Sequence, residues 1–429
     1  MGDARSARVP GGRAAGAGDQ DGHGAVDVPE NLTTLLSRLR RATAGLDGPL
    51  AVVDLDRFDA NAADLLARAV GTPVRVASKS VRVRTLVERA GQRGFTGVMA
   101  YSLREALWLV RHGTRDVLVG YPSADRGALA DLAHDEVARR EITLMVDEPA
   151  HLALVRRALV AADLGDDAPP VRLCLDVDAS LRVRLGPFAL HLGTRRSPVR
   201  TPEAAAALAV RVAAEPGTSL RGLMFYEAQV AGLPDTDPVV RLVKRASVAD
   251  LATRRGAVLA AVRDVVGHDV ELVNSGGTGS LETSSADPVV TEVTAGSGLY
   301  VPGLFDGYRA FRPRPAAFVG LDVVRVPAGG WATAFGGGYV ASGPASRTRL
   351  PRVATPGWGL SPREGAGEVQ TPLHRTGRRG DALDVGDRVW FRHAKAGEVM
   401  ERFDVVHLVR GDEVVDVVPT YRGEGRSFG

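Results

Sequence analysis

The nine residues Thr72-Pro73-Val74-Arg75-Val76-Ala77-Ser78-Lys79-Ser80 read as a short β-strand that ends on a lysine. Val74 and Val76 alternate with polar or small neighbours, which is the period of a strand. A lysine at the C-terminal end of such a strand points into the mouth of whatever the strand helps to build. If burial keeps part of it deprotonated, its amine can condense with an aldehyde cofactor or a carbonyl substrate. A solvated loop lysine is the plain alternative, so the rest of the chain has to decide.

Downstream of Val74 the pattern settles into alternation. Apolar runs near residues 74, 97, 117, 142, 171, 220, 270 and 290 read as strands. Helical periodicity fills 81–93, 103–112, 125–139, 148–162, 202–214 and 237–266 between them. Strands separated by helices of this length imply parallel βαβ units, and eight of them close a (β/α)8 barrel of the TIM type. An open, doubly wound sheet is the structural rival. The barrel makes a firm demand: functional groups lie at the C-terminal ends of the strands, and Lys79 meets it. Before the barrel, leucines at 32, 35, 36 and 39 form a helical stripe, and Leu50–Leu55 reads as a strand. From about Phe311 helical periodicity stops. Proline, glycine and short β-rich runs (317–326, 331–335, 388–392, 404–410, 413–418) indicate a C-terminal antiparallel β domain.

Composition narrows the function classes. The chain has 429 residues, too many for one ordinary core, and a net charge of +3. No dense basic block carries interleaved aromatics, so no nucleic-acid partner is expected. The single cysteine, Cys174, cannot form an internal disulfide, and this fits a reducing cytoplasm. No apolar run reaches the roughly 18 residues of a membrane span. Residues 1–28 are rich in Gly, Ala, Asp and Arg and are expected to form a disordered tail.

Two glycine loops carry the next signal. Asn274-Ser275-Gly276-Gly277-Thr278-Gly279-Ser280 directly follows a strand. Its glycines can turn backbone N–H groups inward while Ser275, Thr278 and Ser280 add hydroxyls, a nest that suits a phosphate. Ala295-Gly296-Ser297-Gly298-Leu299-Tyr300 ends the next strand in the same manner. A plain Gly/Ser surface loop is the alternative for either one alone. A lysine at one strand end and a phosphate cradle at two others together suggest a phosphorylated aldehyde, with pyridoxal 5'-phosphate the obvious one. No GxGxxG follows the first strand and no Walker sequence is present.

Other candidates lie between these. Asp176-Val177-Asp178 with Arg182, then His191 and Arg195-Arg196-Ser197-Pro198, follow the strand at 171; an arginine there could face a pyridine nitrogen or a substrate carboxylate. Tyr226-Glu227-Ala228-Gln229 follows the strand at 220, where Tyr226 could flank a cofactor. In the β domain, His393 has Glu398, Glu401 and His407 near it in sequence, a pattern that could bind a divalent metal or relay a proton.

On these residues the chain resembles the fold-type III pyridoxal phosphate enzymes, which have an alanine-racemase-type barrel and a C-terminal β domain. The resemblance is nearest to the amino acid deaminase/aldolase group, related to D-threonine aldolase and D-serine dehydratase. It rests on Val52-Val53-Asp54-Leu55-Asp56, Val74 to Ser80, Val273 to Gly279 and the His393 segment, and covers about residues 50–420. It implies Lys79 as the Schiff-base lysine, with Ser275, Gly276, Gly277, Thr278, Gly298 and Tyr300 around the phosphate; Arg182 and Tyr226, read from their places after strands, are taken as cofactor contacts beside them. It also implies that the strand at 51 joins the β domain, so that 57–310 form the barrel and 45–56 with 311–429 the β domain. A homodimer, with its site between barrel mouth and β domain, is implied as well.

There are departures. Alanine racemases follow the lysine with an Asn-Ala-Tyr-Gly-His type segment, whereas Ser80-Val81-Arg82 stands here. Metal-dependent members carry His-x-Asp or His-x-Cys as ligands, and the matching segment is His393-Ala394-Lys395, which leaves Glu398 as candidate second ligand. The implied activity is that of a lyase on a D- or β-hydroxy amino acid, by retro-aldol cleavage or by dehydration and deamination, with His393 or a metal acting at the hydroxyl. A racemase on the same fold and a non-enzymatic pyridoxal phosphate-binding protein are the alternatives.

Overall fold

The computed structural model describes residues 31–165, 167–186, 188–377 and 381–429; the expected tail at 1–28 lies outside them. After the helix Leu32–Ala42 come β1 (Leu50–Asp54) and the helix Leu55–Arg68. The barrel strands are β2 (Val74–Ala77), β3 (Val98–Ala100), β4 (Val117–Val119), β5 (Ile142–Val146) and β6 (Val171–Asp176). A two-stranded hairpin of β7 (Leu181–Leu185) and β8 (Phe188–Leu192) intervenes before β9 (Thr218–Phe225), β10 (Leu272–Ser275) and β11 (Glu292–Ala295). Strands β2 to β6 and β9 to β11 close an eight-stranded parallel barrel, each strand at an expected position.

The β domain continues with β12 (Ala317–Arg325), β13 (Trp331–Phe335), β14 (Arg352–Val353), β15 (Trp358–Leu360), β16 (Gln370–Arg375), β17 (Arg388–Arg392), β18 (Val405–Arg410) and β19 (Glu413–Pro419). Strand β1 sits in the middle of this sheet, antiparallel to β12 but parallel to β18, with Val52 opposite His407. The other pairings are antiparallel. Leu35, Leu36 and Leu39 of the first helix cover one face of the sheet against Val52, Phe318 and Trp390.

Local chemistry moves several expected boundaries. The helix expected over 125–139 is broken at Asp135, whose backbone is extended and whose carboxylate caps the second piece by accepting the Ala138 N–H. The helix expected from Val81 begins at Arg84, because Ser78–Ser80 form a 3₁₀ turn first. The hairpin β7–β8 was not apparent, since Leu181–Leu185 is one strand of a two-stranded ribbon that packs little.

The barrel interior has two kinds of filling. Leu118, Met145, Cys174, Met224 and Leu272, with Met99 beside them, make an apolar layer. This accounts for Cys174 as a small buried side chain. On β2, residues 75 and 77 face inward. Arg75 is fully buried and donates to Glu292 of β11 at 2.7 Å, and to the carboxylate and carbonyl of Asp116 at 2.7 and 2.6 Å. Arg221 donates to the other Asp116 oxygen at 2.5 Å, and the Asn274 amide to Glu292 at 2.6 Å. Burial opposes charge on Arg75, yet Glu292 and then Asp116 hold it firmly protonated. Removing Arg75 strands the buried Glu292 carboxylate without its cation. Arg75→Ala is therefore expected to cost about 3–5 kcal/mol in denaturant unfolding; a loss well below this range would show that the plug carries little stability.

The chain's end is tied to the barrel by Glu105, a buried residue that accepts the Tyr101 N–H at 2.7 Å and the Tyr421 hydroxyl at 2.9 Å. Burial, opposed by these hydrogen bonds, pushes its pKa from 4.5 up to about 7. A raised carboxyl pKa means that its contribution is full below 4.5 and is lost as pH rises through about 7. Glu105→Gln keeps the shape without the charge. Its Tm relative to the parent should rise between about pH 5 and pH 8 in buffered melts; a constant difference would contradict the assignment.

Candidate active site

Ala77 is the last inward residue of β2, and the 3₁₀ turn that follows delivers Lys79 into a cavity of about 350 Å³ at the C-terminal mouth of the barrel. The turn is fixed from both sides. Gly296 lies so close that a Cβ would sit 2.6 Å from the Ala77 carbonyl, and a Cβ on Gly397 would sit 2.9 Å from the Lys79 carbonyl. Behind it, the fully buried Tyr300 donates its hydroxyl to the Val81 carbonyl at 3.0 Å.

Inside the cavity the Lys79 ammonium donates to the Tyr121 hydroxyl at 2.5 Å. It also lies 5.2 and 6.0 Å from the ring centres of Tyr121 and Tyr226. The Arg196 guanidinium stands over the same two rings, at 5.5 and 5.7 Å. Burial raises the pKa of the Tyr121 phenol, but Lys79 and then Arg196 outweigh it and leave the pKa below the ordinary tyrosine value. A proton on either member of the Lys79–Tyr121 pair therefore has an acceptor within hydrogen-bond reach.

Gly276, Gly277 and Thr278 of the first glycine loop, and Gly296 and Ser297 of the second, also line the cavity, the second loop beside the lysine turn. Their floor is Glu227, which accepts from the Ser275 and Ser280 hydroxyls at 2.9 Å each, from the Gly276 N–H at 3.2 Å and from Ser284. Arg255 neutralises it from behind and donates to Ser275 at 2.5 Å. Thr278 accepts the Gly298 N–H at 3.0 Å and so stitches the two loops together.

Of the residues expected from sequence, Lys79, Tyr226, Gly276, Gly277 and Thr278 share this cavity. Ser275, Gly298 and Tyr300 support its walls from behind. Arg182 does not line it; it lies on β7 and pairs with Asp178 at 2.8 Å, while Arg196 occupies the position beside the tyrosines. Gln229 donates to the Ala179 carbonyl instead of facing the cavity. Tyr121, Arg349 and Tyr308 were not foreseen. Tyr121 follows β4 directly and could have been found by the strand-end rule that found Lys79; Arg349 lies in an irregular β-domain segment with no such signal.

His393 is placed elsewhere. It lines a second cavity of about 290 Å³ with Phe335, Tyr339, Phe391 and Phe403. Burial, with Arg392 adding, pushes its pKa down to about 3, and its Nε2 has no hydrogen-bond partner. The Glu398 carboxylate accepts the Ser342 N–H at 3.0 Å. Among the described residues no three His, Cys, Asp or Glu side chains gather as a metal site. The donor set in this chain thus does not fit the expected metal, and Lys395 lines the cavity in its stead. A phosphorylated aldehyde does fit: the cavity offers an amine, two aromatic rings and loops in which Gly277 and Gly296 leave no room for a side chain.

No family model matches the chain. It is 28% identical over 293 residues to a D-threonine aldolase from Arthrobacter sp., covering 66% of this chain and 70% of that one. Among solved structures, D-threonine aldolase from Filomicrobium marinum superposes with a TM-score of 0.72 at 23% identity, over 88% of this chain and 96% of that one. D-threo-3-hydroxyaspartate dehydratase from Delftia sp. HT23 gives 0.64 at 20%, over 88% and 98%. An alanine racemase-like protein from Idiomarina loihiensis gives 0.66 at 14%, over 88% and 97%. The chain has the fold of the alanine-racemase-type, fold-type III pyridoxal phosphate enzymes: a closed parallel barrel with a β domain on its mouth.

Proposed function

We propose that the protein is a pyridoxal phosphate-dependent lyase acting on a D-configured β-hydroxy amino acid. The observation that carries this reading is a lysine amine at a barrel strand end, in a cavity walled by two stitched glycine loops. The likeness to D-threonine aldolases and to a hydroxyaspartate dehydratase supports the substrate class. No helix among the described residues is long and apolar enough to cross a membrane; a homodimer acting in the cytoplasm belongs to the same proposal.

When bound, the cofactor would hold the substrate nitrogen and accept the electron pair released at Cα. The chain's own residues do the rest. Gly276, Gly277, Thr278 and Ser297 line the wall that would receive its phosphate. Tyr226 and Arg196 border the space above Lys79. Lys79 Nζ, freed when the substrate amine takes its place, stands beside Tyr121 as a base for a proton on the substrate. The β domain adds Arg349, Lys395 and Ala396 to the lining of the space. A protein that only stored the cofactor would have no use for these added side chains, whereas a lyase needs groups that hold the substrate.

Purified protein should release an aldehyde, or a keto acid with ammonia, from D-threonine or D-serine, and chelator should leave the rate unchanged. Lys79→Ala should abolish the visible absorbance of lysine-bound cofactor and lower turnover by at least about 1000-fold; normal turnover by this variant would sink the assignment. Gly296→Ala forces its Cβ onto the Ala77 carbonyl. Overpacking of this kind costs about 1–3 kcal/mol, so cofactor affinity should fall about tenfold or more in fluorescence titration.

A further inference from the structure

The wall of the cavity is unusual in its charge. Among the described residues, four cationic side chains line it (Lys79, Arg196, Arg349 and Lys395) and no aspartate or glutamate does. Lys79 and Arg196 belong to the barrel side, where they pair with the tyrosines. Arg349 and Lys395 come from the β domain. Like charges brought together without a counter-ion are costly, and a site that keeps them is built to receive an anion.

The position of Lys395 is strongly determined. Its segment docks on the last barrel loop through two backbone bonds, Gly303 N–H to the His393 carbonyl at 2.9 Å and Leu304 N–H to the Ala394 carbonyl at 3.1 Å. Ala396 then takes a left-handed backbone with φ 43°, which costs a non-glycine residue about 1–2 kcal/mol. Gly397 meets the Lys79 and Ser80 backbone directly. This tight turn holds Lys395 at the edge of the lysine site. Among the described residues its ammonium donates to Ser342 alone, the carbonyl at 3.1 Å and the hydroxyl at 2.8 Å. The nearby Glu398 spends its carboxylate on the Ser342 N–H. Arg349 lies on the same 341–349 segment, its guanidinium packed over Gly343. Neither cation has an ion-pair partner among the described residues.

We propose that Arg349 and Lys395 bind the carboxylate of the amino acid substrate and make the site select amino acids over amines. The inference rests on the lyase reading for the substrate's identity, but it can fail separately. The glycine loops, from the barrel, provide for the phosphate; these two cations line the cavity from the β domain, whose Gly397 abuts the turn that carries Lys79. Arg349 brings a planar fork suited to two carboxylate oxygens and Lys395 a point charge.

The test uses the cofactor-loaded enzyme and the variants Arg349→Gln and Lys395→Met. KM for D-threonine should rise about tenfold or more in each, the loss of one charge-assisted contact. The visible absorbance and Tm should stay as in the parent. D-threoninol, which replaces the carboxylate by an alcohol, should perturb that absorbance at the same concentration in parent and variants. If the protein turns over no amino acid, the lyase reading fails, and D-alanine titrated against the same absorbance still reads carboxylate binding. Equal losses for D-threonine and D-threoninol, an unchanged KM (or, without turnover, unchanged D-alanine binding), or release of the cofactor from either variant would overturn the proposal; the last would reassign the pair to the phosphate.

Discussion

The barrel closes where its first strand meets its last, and that seam is held by a buried charge. Strand β2 pairs with β11 with Arg75 opposite Thr294, and the Arg75 guanidinium reaches across to Glu292. A fully buried guanidinium is tolerable only if its donors are taken, and here two carboxylates and two backbone carbonyls take them. The register of the seam follows from this, because a slip by one residue would turn Arg75 out of the barrel and a valine in. On these two strands the mouth is built two to four residues beyond. On β2 that is Ala77 and the Lys79 turn, and on β11 it is Thr294 and the Gly296 loop. Lysine and second glycine loop are neighbours because the plug below them sets the seam.

This explains which parts of the site were legible in the sequence. Strand periodicity located all eight barrel strands, and the strand-end rule located Lys79, Tyr226 and the loop at 276–278, because backbone geometry alone directs those residues to the mouth. What periodicity cannot give is the facing of a residue once the chain has left its strand. Ser275 still belongs to β10 and turns to Glu227 behind the wall, and Tyr300 turns to Val81. Arg182 was chosen for its charge near a strand end, but it sits on a hairpin with Asp178 as ready partner, and Arg196 reaches the tyrosines after a longer excursion. Glu227 passed as one residue of a mouth segment, although four hydrogen-bond donors depend on it.

The β domain was legible as a class and not as a surface. Its strands announce themselves by short apolar runs, but β1 runs parallel to β18 across a separation of some 350 residues, and no local pattern predicts such a pair. The same non-local packing decides which β-domain residues reach the cavity. His393 drew attention because histidine is chemically versatile, yet it is buried, neutral and turned to another cavity. Two residues later Lys395 enters the site, and the difference between them is made by the left-handed Ala396 and by Gly397 against the lysine turn.

Ion pairing in this chain divides by depth. Below the mouth and behind its wall several buried cations are matched: Arg75 by Glu292 and Asp116, Arg221 by Asp116, and Arg255 on the helix Pro238–Val266 by Glu227 and Asp287. At the mouth the matching stops, and cations line a cavity without carboxylates. Burial first, then Arg349 beside it, lowers the pKa of Lys395, with Glu398 opposing and Lys79 adding. The carboxylates that hold Arg75, Arg221 and Arg255 show that this fold can match a buried cation. Leaving the mouth unmatched reserves the attraction for what enters it, so that an anionic amino acid gains on binding what the empty cavity lacks.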